Sequence, residues 1–397
     1  IIIIYRIFKK KEDPKRFFEK IGKFNTSSNN DLIWFHGSSV GEILSVIPLI
    51  EKLEKKSRIK KILITSNTLS SAKIIKKLKL KKTFHQFFPL DTNFLVKKFL
   101  NHWKPKAVFF IDSEIWPNMV LKIKEKNIPL VLLNARITKK SFRKWNYINN
   151  FSKKIFDKFD LCLSQNDMTS NYLKILGAKN IRKIGNLKFS QSKLELKNKS
   201  NPRIKKFLIN KKIMFSAIST HAGEELLCGK VHSNLKKKYK NIISIIIPRH
   251  IHRAHEIKEE LNSNGLKVHL HSSNRPMNKD TDIYLVDTFG ETKAFLRLSK
   301  TAFMGKSIHA FGGQNPLEAA RLGNRIIHGP NIENFVEVYD FLKKHGISSK
   351  INSYNDLKNL VIKFERKKNY SQQIIKKLTY TGNQILINNE KEINKYF

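Results

Sequence analysis

Phe311-Gly-Gly-Gln-Asn-Pro-Leu-Glu318, continued by Ala319-Ala-Arg-Leu-Gly323 and His328-Gly-Pro330, is the stretch whose reading decides the fold. Gly312 and Gly313 free the backbone for positive φ and for close approach to a ligand. Asn315 is a good N-cap, and Pro316 suits the first helical position. Leu317, Ala320 and Leu322 continue an apolar helical face. The stretch therefore predicts a loop feeding a helix N-terminus, where free N–H groups and the positive end of the dipole attract an anion. Glu318 falls in the first turn of that helix, where it either complements the dipole or reaches the ribose of a bound nucleotide. Lys300–Gly305, just upstream, reads as a short strand, and ligands of open α/β sheets sit beyond the carboxyl ends of strands.

Working outward, the same strand–loop–helix unit recurs. Leu32–His36 reads as a buried strand followed by Gly37-Ser-Ser-Val-Gly-Glu42 and a helical pattern to Leu53. Further strands are read at Lys61–Thr65, at a run ending near Phe88, and at Ala107–Ile111, Pro129–Leu133 and Leu161–Ser164. Another precedes Gly185-Asn-Leu-Lys-Phe189. Residues 190–205 are polar, charged and contain a proline, the best linker in the chain. The pattern restarts at Lys212–Ile218, Ile242–Ile247, Lys267–His271 and Ile283–Asp287, and after His328 it reads as mainly helical. Strands alternating with helices predict two α/β domains, each with a doubly wound parallel sheet. The predicted boundaries are 1–24 (a basic, amphipathic, membrane-proximal segment), 25–195 and 206–397.

The 397 residues are 40% hydrophobic, enough for two cores,. Lys+Arg total 77 against 32 Asp+Glu, a formal charge of +45. Such a field attracts nucleic acid, anionic membrane or phosphorylated substrate, although lysines are spread over every element. No nucleic-acid-binding motif or clustered aromatic platform accompanies the charge, so no nucleic acid is expected as a partner. Cys162 and Cys228 are far apart and lack metal-ligand spacing, so they read as unpaired thiols. Ile1-Ile-Ile-Ile-Tyr5, followed by Arg6, Lys9, Lys10 and Lys11, reads either as the tail of an apolar anchor or as an ordinary apolar start to a helix. Asp280-Thr-Asp282 reads as a solvated turn, and no metal or other cofactor is expected.

Glu42 opens a helix at a strand end. It serves either as a base toward a hydroxyl or as a first-turn carboxylate whose acidity the dipole increases. Arg249, after Pro248, stands at a strand end where a guanidinium can hold a phosphate bidentately.

These segments together resemble the Kdo transferases, which move 3-deoxy-D-manno-octulosonic acid from CMP-Kdo onto lipid A precursors. The resemblance covers nearly the whole chain. The family has Gly-Gly-x-Asn-Pro-Leu-Glu where this chain has Gly312–Glu318, and a Gly-Glu segment carrying the catalytic base where it has Gly41-Glu42. Asp112-Ser-Glu-Ile-Trp-Pro-Asn118 is similar to the family's Thr-Glu-Leu-Trp-Pro-Asn, which implies that Glu114 stabilises the transition state or orients the acceptor. Gly185-Asn-Leu-Lys-Phe189 is identical to the family's segment and implies that Lys188 stabilises developing charge. Asp287-Thr-Phe-Gly-Glu291 resembles Asp-Thr-Met-Gly-Glu, a CMP-contacting turn, with Phe289, Gly290 and Glu291 at the nucleotide. The resemblance implies a GT-B fold, two Rossmann-like domains with a cleft between them. It implies an inverting reaction with CMP-Kdo and a lipid A precursor (lipid IVA) as co-substrates. It also implies an anionic inner-membrane surface as partner and the cytoplasmic face of that membrane, with an N-terminal anchor, as location. A UDP-sugar transferase or epimerase of the same layout is the alternative among enzymes, and a basic nucleic-acid-binding protein the alternative outside them.

Overall fold

The computed structural model describes residues 12–24, 31–78, 80–190, 212–366 and 371–397. The basic run Arg6–Lys11 and the linker beyond Ser190 lie outside the described residues. β1 (Leu32–His36) and β4 (Ala107–Ile111) are buried at every position, as strands of a parallel sheet covered by helices on both faces must be. With β2 (Lys61–Ser66), β3 (Thr83–Phe87), β5 (Leu130–Ala135), β6 (Leu161–Ser164) and β7 (Ile181–Lys183) they form a seven-stranded sheet in the order β3-β2-β1-β4-β5-β6-β7. All its pairings are parallel. The strand order reverses between β1 and β4, and the crevice of such a sheet opens at that switch point.

The second sheet is built from β8 (Lys212–Thr220), β9 (Ile242–Pro248), β10 (Val268–Leu270), β11 (Ile283–Leu285), β12 (Thr301–Met304), β13 (Arg325–His328) and β14 (Ser348–Lys350). Its order is β10-β11-β9-β8-β12-β13-β14, again parallel throughout, with the reversal between β8 and β12. Two strands escaped the sequence reading. β13 and β14 fall in or after the stretch read as leading into helix, and each is only three or four residues long, too short to show a period.

Two compact units result, residues 1–196 with 381–397 and residues 197–380. The expected second domain ran to residue 397, whereas the last seventeen residues belong with the first unit. They are fastened there by charge and close packing. Glu390 meets Lys52 at 2.9 Å and Lys56 at 2.7 Å, and Glu392 meets Arg182. A Cβ on Gly382 would stand 2.3 Å from the Phe189 carbonyl oxygen, so only glycine allows this approach,.

The described part of the expected membrane-proximal segment also packs on the first unit. A 3₁₀ helix, Phe17–Ile21, lies against β3: Glu19 accepts from the Phe87 N–H at 2.8 Å and Arg16 donates to the His85 carbonyl at 2.9 Å. Among the described residues, no helix is long and apolar enough to cross a membrane.

Candidate active site

In the first unit the loops after β1 and β4 bring two nominated carboxylates together. Ser39 caps the helix Val40–Leu53 and completes a capping box with Glu42,. Glu42 Oε2 also accepts from the Ser38 N–H at 2.7 Å, and the Ser39 hydroxyl donates to Oε1 at 2.8 Å. Glu42 is thus a helix-entry carboxylate, yet burial, the charge of Glu114 and that of Asp112 push its carboxyl above the usual range. The expectation that the helix start would make Glu42 more acidic is overturned by those neighbours.

Glu114 has the opposite character. Burial works against its charge, but hydrogen bonds from His36, Ser38 and Trp116 outweigh it and hold the carboxyl below the usual range. Its Oε2 accepts from His36 Nε2 at 3.2 Å, the Ser38 hydroxyl at 2.6 Å and Trp116 Nε1 at 2.8 Å. Trp116 is therefore a hydrogen-bond donor, partly buried against the core.

The His36 proton can be placed. Trp34 Nε1–H donates to Thr65 Oγ1 at 2.8 Å, and His36 Nδ1 lies 2.9 Å from the same hydroxyl and 3.3 Å from the Thr65 carbonyl oxygen. A carboxylate only accepts, so the Nε2 nitrogen facing Glu114 carries a proton,. Trp34, Thr65 and His36 form a buried relay ending on one carboxylate oxygen.

Lys188 stands 3.5 Å from Asp112 Oδ2. Asp112 is buried and sits at φ 62°, with its N–H on the Leu133 carbonyl and its own carbonyl taking the Arg136 N–H. Burial raises its carboxyl, opposed by the Lys188 and Arg136 charges. The Lys188 turn is held from behind: Leu187 N–H donates to Asn134 Oδ1 at 2.8 Å, Asn186 to Gln165 at 2.9 Å, and Gln165 to the Asn134 carbonyl at 2.8 Å. Sequence reasoning missed His36, Ser38, Asp112 and Asn134 as parts of this site. The positive φ of Asp112 and Asn134 follows from strand-end geometry that residue types alone do not encode, although Asp and Asn are the types that tolerate it.

In the second unit the nominated nucleotide residues lie along one sheet edge, after β11, β9 and β12, with β8 standing between β9 and β12 in the sheet. Pro248 ends β9, and Arg249 is exposed beyond it, its N–H on the Thr220 carbonyl at 3.1 Å. Phe289 is 79% exposed and Gly290 takes φ 90°. Glu291 accepts from Thr288 at 2.7 Å and meets His271 Nε2 at 2.6 Å. Glu318, about half exposed, meets Lys293 at 3.5 Å, which joins its helix to the turn bearing Glu291.

The predicted helix start is shifted by one residue. Pro316, not Asn315, occupies the N-cap of Leu317–Arg321, a single short turn, while Asn315 Oδ1 still accepts from the Leu317 N–H at 3.1 Å. The tight geometry lies upstream. Gly312 and Gly313 take φ 100° and 67°, and a Cβ on Gly305 would meet the Ser219 carbonyl oxygen at 2.4 Å. A residue no pattern singled out organises this loop: Glu224, fully buried, accepts the N–H groups of His221, Lys306, Ser307 and Ile308 at 2.8–3.1 Å.

The reading of Asp280–Asp282 as a solvated turn fails at Asp282. This carboxylate is buried and takes Lys236 at 2.6 Å and the Lys267 N–H at 3.0 Å, with His232 at 3.4 Å. Burial opposes its charge, yet these partners hold it well below the usual range. It is a structural carboxylate that buttresses β10.

Two doubly wound parallel sheets, each with its polar loops gathered at a switch point, define a chain of GT-B type. Solved structures of that shape agree: a UDP-GlcNAc 2-epimerase from Neisseria meningitidis superposes with a TM-score of 0.59 over 91% of this chain and all of that one, at 14% identity. The kitacinnamycin glycotransferase gives 0.58 over 92% and 99%, at 10% identity. More particularly, residues 15–191 match the family model described as 3-deoxy-D-manno-octulosonic-acid transferase. A relative of that name from Rickettsia bellii is 33% identical over 91% of this chain and 86% of its own length. Another, from Haemophilus influenzae, is 27% identical over 78% and 73%. The chain belongs to the 3-deoxy-D-manno-octulosonic acid transferase family and is a glycosyltransferase.

Proposed function

We propose that this enzyme transfers Kdo from CMP-Kdo to a glucosamine hydroxyl of a lipid A precursor, with inversion at the anomeric carbon. The observation that carries the reading is the pair Glu42 and Glu114, bridged by Ser38 and shifted in opposite directions. Such divergence separates a proton acceptor from a fixed charge. Glu42 takes the hydroxyl proton as the oxygen attacks the anomeric carbon. The bond from that carbon to the CMP phosphate oxygen breaks, and CMP leaves with the electron pair. Glu114 stays ionised and orients the acceptor, and Lys188 offsets the Kdo carboxylate or the charge developing nearby. Arg249, the Phe289–Glu291 turn and Asn315–Glu318 hold the CMP moiety. No metal or other cofactor takes part in the proposed step.

The test is incubation of the protein with CMP-Kdo and tetraacylated lipid A precursor, products being separated by thin-layer chromatography and the new linkage read by NMR. A Kdo-bearing lipid of inverted configuration is expected. No product here, with turnover of UDP-GlcNAc in a parallel reaction, would replace this reading with the UDP-sugar alternative.

A further inference from the structure

In the second sheet β8 stands between β9 and β12, and a cation follows each of these two neighbours. Arg249 comes after β9, and Lys306 after β12. Both are fixed on the end of β8, at consecutive residues. The Arg249 N–H donates to the Thr220 carbonyl at 3.1 Å. On the other side the Gly305 N–H donates to the Ile218 carbonyl at 2.8 Å, and a Cβ on Gly305 would stand 2.4 Å from the Ser219 carbonyl oxygen. β9 and β12 are two strand positions apart, roughly 10 Å at about 4.8 Å per strand. One small anion above the end of β8 is therefore within reach of a Lys and an Arg side chain from either side.

No motif nominates Lys306; its backbone singles it out. It takes φ 57°, in the left-handed region where a Cβ crowds the backbone and glycine is the usual occupant. Its N–H donates to Glu224 at 2.8 Å, and its carbonyl accepts from Gly313 at 3.1 Å. A disfavoured conformation held from both sides, on a residue with a long cationic side chain, points to a use for that side chain. Lys306 is half-buried. Its Nζ lies 3.9 Å from where a Cβ on Gly312 would stand, beside the glycine pair that leads into Asn315–Glu318. Among the described residues, neither Lys306 nor Arg249 makes an ion pair. The acids of these loops are engaged elsewhere. Glu224 accepts four N–H groups, Glu225 meets Arg253 at 3.2 Å, and Glu333 accepts the Gly312 N–H at 2.7 Å.

We infer that Lys306 and Arg249 close on one oxyanion above the end of β8, the phosphate of CMP, so that Lys306 is a donor-binding residue. The inference rests on the proposed donor and adds the second cation of its phosphate site. The phosphate gains a negative charge as its bond to the anomeric carbon breaks, and two fixed cations stabilise that charge as it develops. The Kdo carboxylate is the other oxyanion of the donor. CMP by itself lacks it, so binding of CMP separates the two.

The experiment is calorimetric titration of the full chain with CMP and with cytidine, which lacks the phosphate. Lys306→Gly, Lys306→Met and Lys306→Arg are compared with wild type. Glycine suits the left-handed backbone, so Lys306→Gly should melt within a few degrees of wild type, and its binding then reports the side chain and not the fold. Lys306→Gly and Lys306→Met are expected to bind CMP at least about tenfold more weakly, the loss of one charge-assisted hydrogen bond, with cytidine affinity unchanged. Lys306→Arg should recover most of the loss. Wild-type CMP affinity in Lys306→Gly overturns the inference, even with a raised KM for CMP-Kdo, because that pattern would put Lys306 at the sugar carboxylate. An equal loss for cytidine overturns it too. A wild type that binds UDP and not CMP would instead refute the proposed donor, and the same comparison with UDP and uridine would then decide the cation pair.

Discussion

Glu42 and Glu114 are joined through one serine: Ser38 gives its backbone N–H to Glu42 Oε2 at 2.7 Å and its hydroxyl to Glu114 Oε2 at 2.6 Å. Its hydroxyl oxygen also accepts from Asn67 at 2.7 Å, so its direction is fixed. The two carboxylates cannot both ionise without mutual cost. The donors on Glu114 hold its carboxyl low, while burial and the Glu114 charge raise that of Glu42.

Glu42→Gln keeps the shape and removes the basicity. Turnover is expected to fall by about 10²–10⁴-fold, the usual contribution of a general base, while CMP affinity by calorimetry stays near wild type. Near-normal turnover of this variant together with collapse of Glu114→Gln would reverse the two roles.

The raised Glu42 carboxyl sets the acid limb of kcat/KM. Activity requires the unprotonated base, so it falls as pH drops through a value above the ordinary glutamate pKa of about 4.3. Glu114→Gln removes a negative neighbour and should move that limb to lower pH. Stability has the opposite sign at the two sites. Glu114, held low, stabilises the fold above its unfolded pKa and loses this as pH falls through its folded value. Glu42, held high, costs stability as pH rises from its unfolded value through its folded one. A pH–rate profile and pH-dependent melting of both Gln variants check these signs.

His36→Leu removes the Nε2–H donor to Glu114, a bond to a charged group worth roughly 1.5–3 kcal/mol. The Glu114 carboxyl resonance should titrate at higher pH, and kcat/KM should fall about tenfold. His36→Gln, whose amide reaches toward the Nε2 position, should recover much of both. Carbon-detected NMR titration, assigned with Glu114→Gln, is the measurement, and an unmoved Glu114 would remove the relay from the mechanism.

Arg249→Ala and Glu318→Ala should each weaken CMP binding by about tenfold to a hundredfold, the range of one charge-assisted hydrogen bond. Calorimetry with CMP measures this, and unchanged affinity in both would move the nucleotide site elsewhere.

Glu224→Ala would leave four backbone N–H groups without their acceptor in a buried place. At about 1–3 kcal/mol for each unmet group, the loop from Lys306 to Ile308 should lose its order even if water meets some of them. A strongly lowered melting temperature and lost CMP binding are expected, and a melting temperature within a degree of wild type would count against this account.

The parallel α/β plan was legible because buried strands such as Ala107–Ile111 are uninterrupted apolar runs between turn residues. Glu42 drew attention because it opens a helix just after a strand, whereas Glu114 was singled out only by the family resemblance of Asp112–Asn118. What stayed hidden depends on partners distant in the chain. His36 and Thr65 meet only because β1 and β2 pair in register, and Glu224 holds a loop more than eighty residues away. Asp282 looked solvated because its neighbours are polar, yet its partners His232 and Lys236 come from a helix that no local pattern connects to it. The Asn315 cap was misplaced by one residue because sequence does not say which residue of Asn-Pro turns helical first.

The return of residues 381–397 to the first unit has a consequence for the order of events at the ribosome. Some 180 residues separate Leu196 from the segment that covers Phe189 and neutralises Lys52, Lys56 and Arg182. At about 5–20 residues per second, the first sheet waits roughly 10–40 s for its final piece. Throughout that interval the surfaces later covered by Ile385, Leu386 and Ile393 are open, and the Lys188 turn lacks its backing. The enzyme's first unit is thus the last to be completed, and a nascent chain stopped before Thr381 carries the carboxylates and Lys188 without the helix that steadies them.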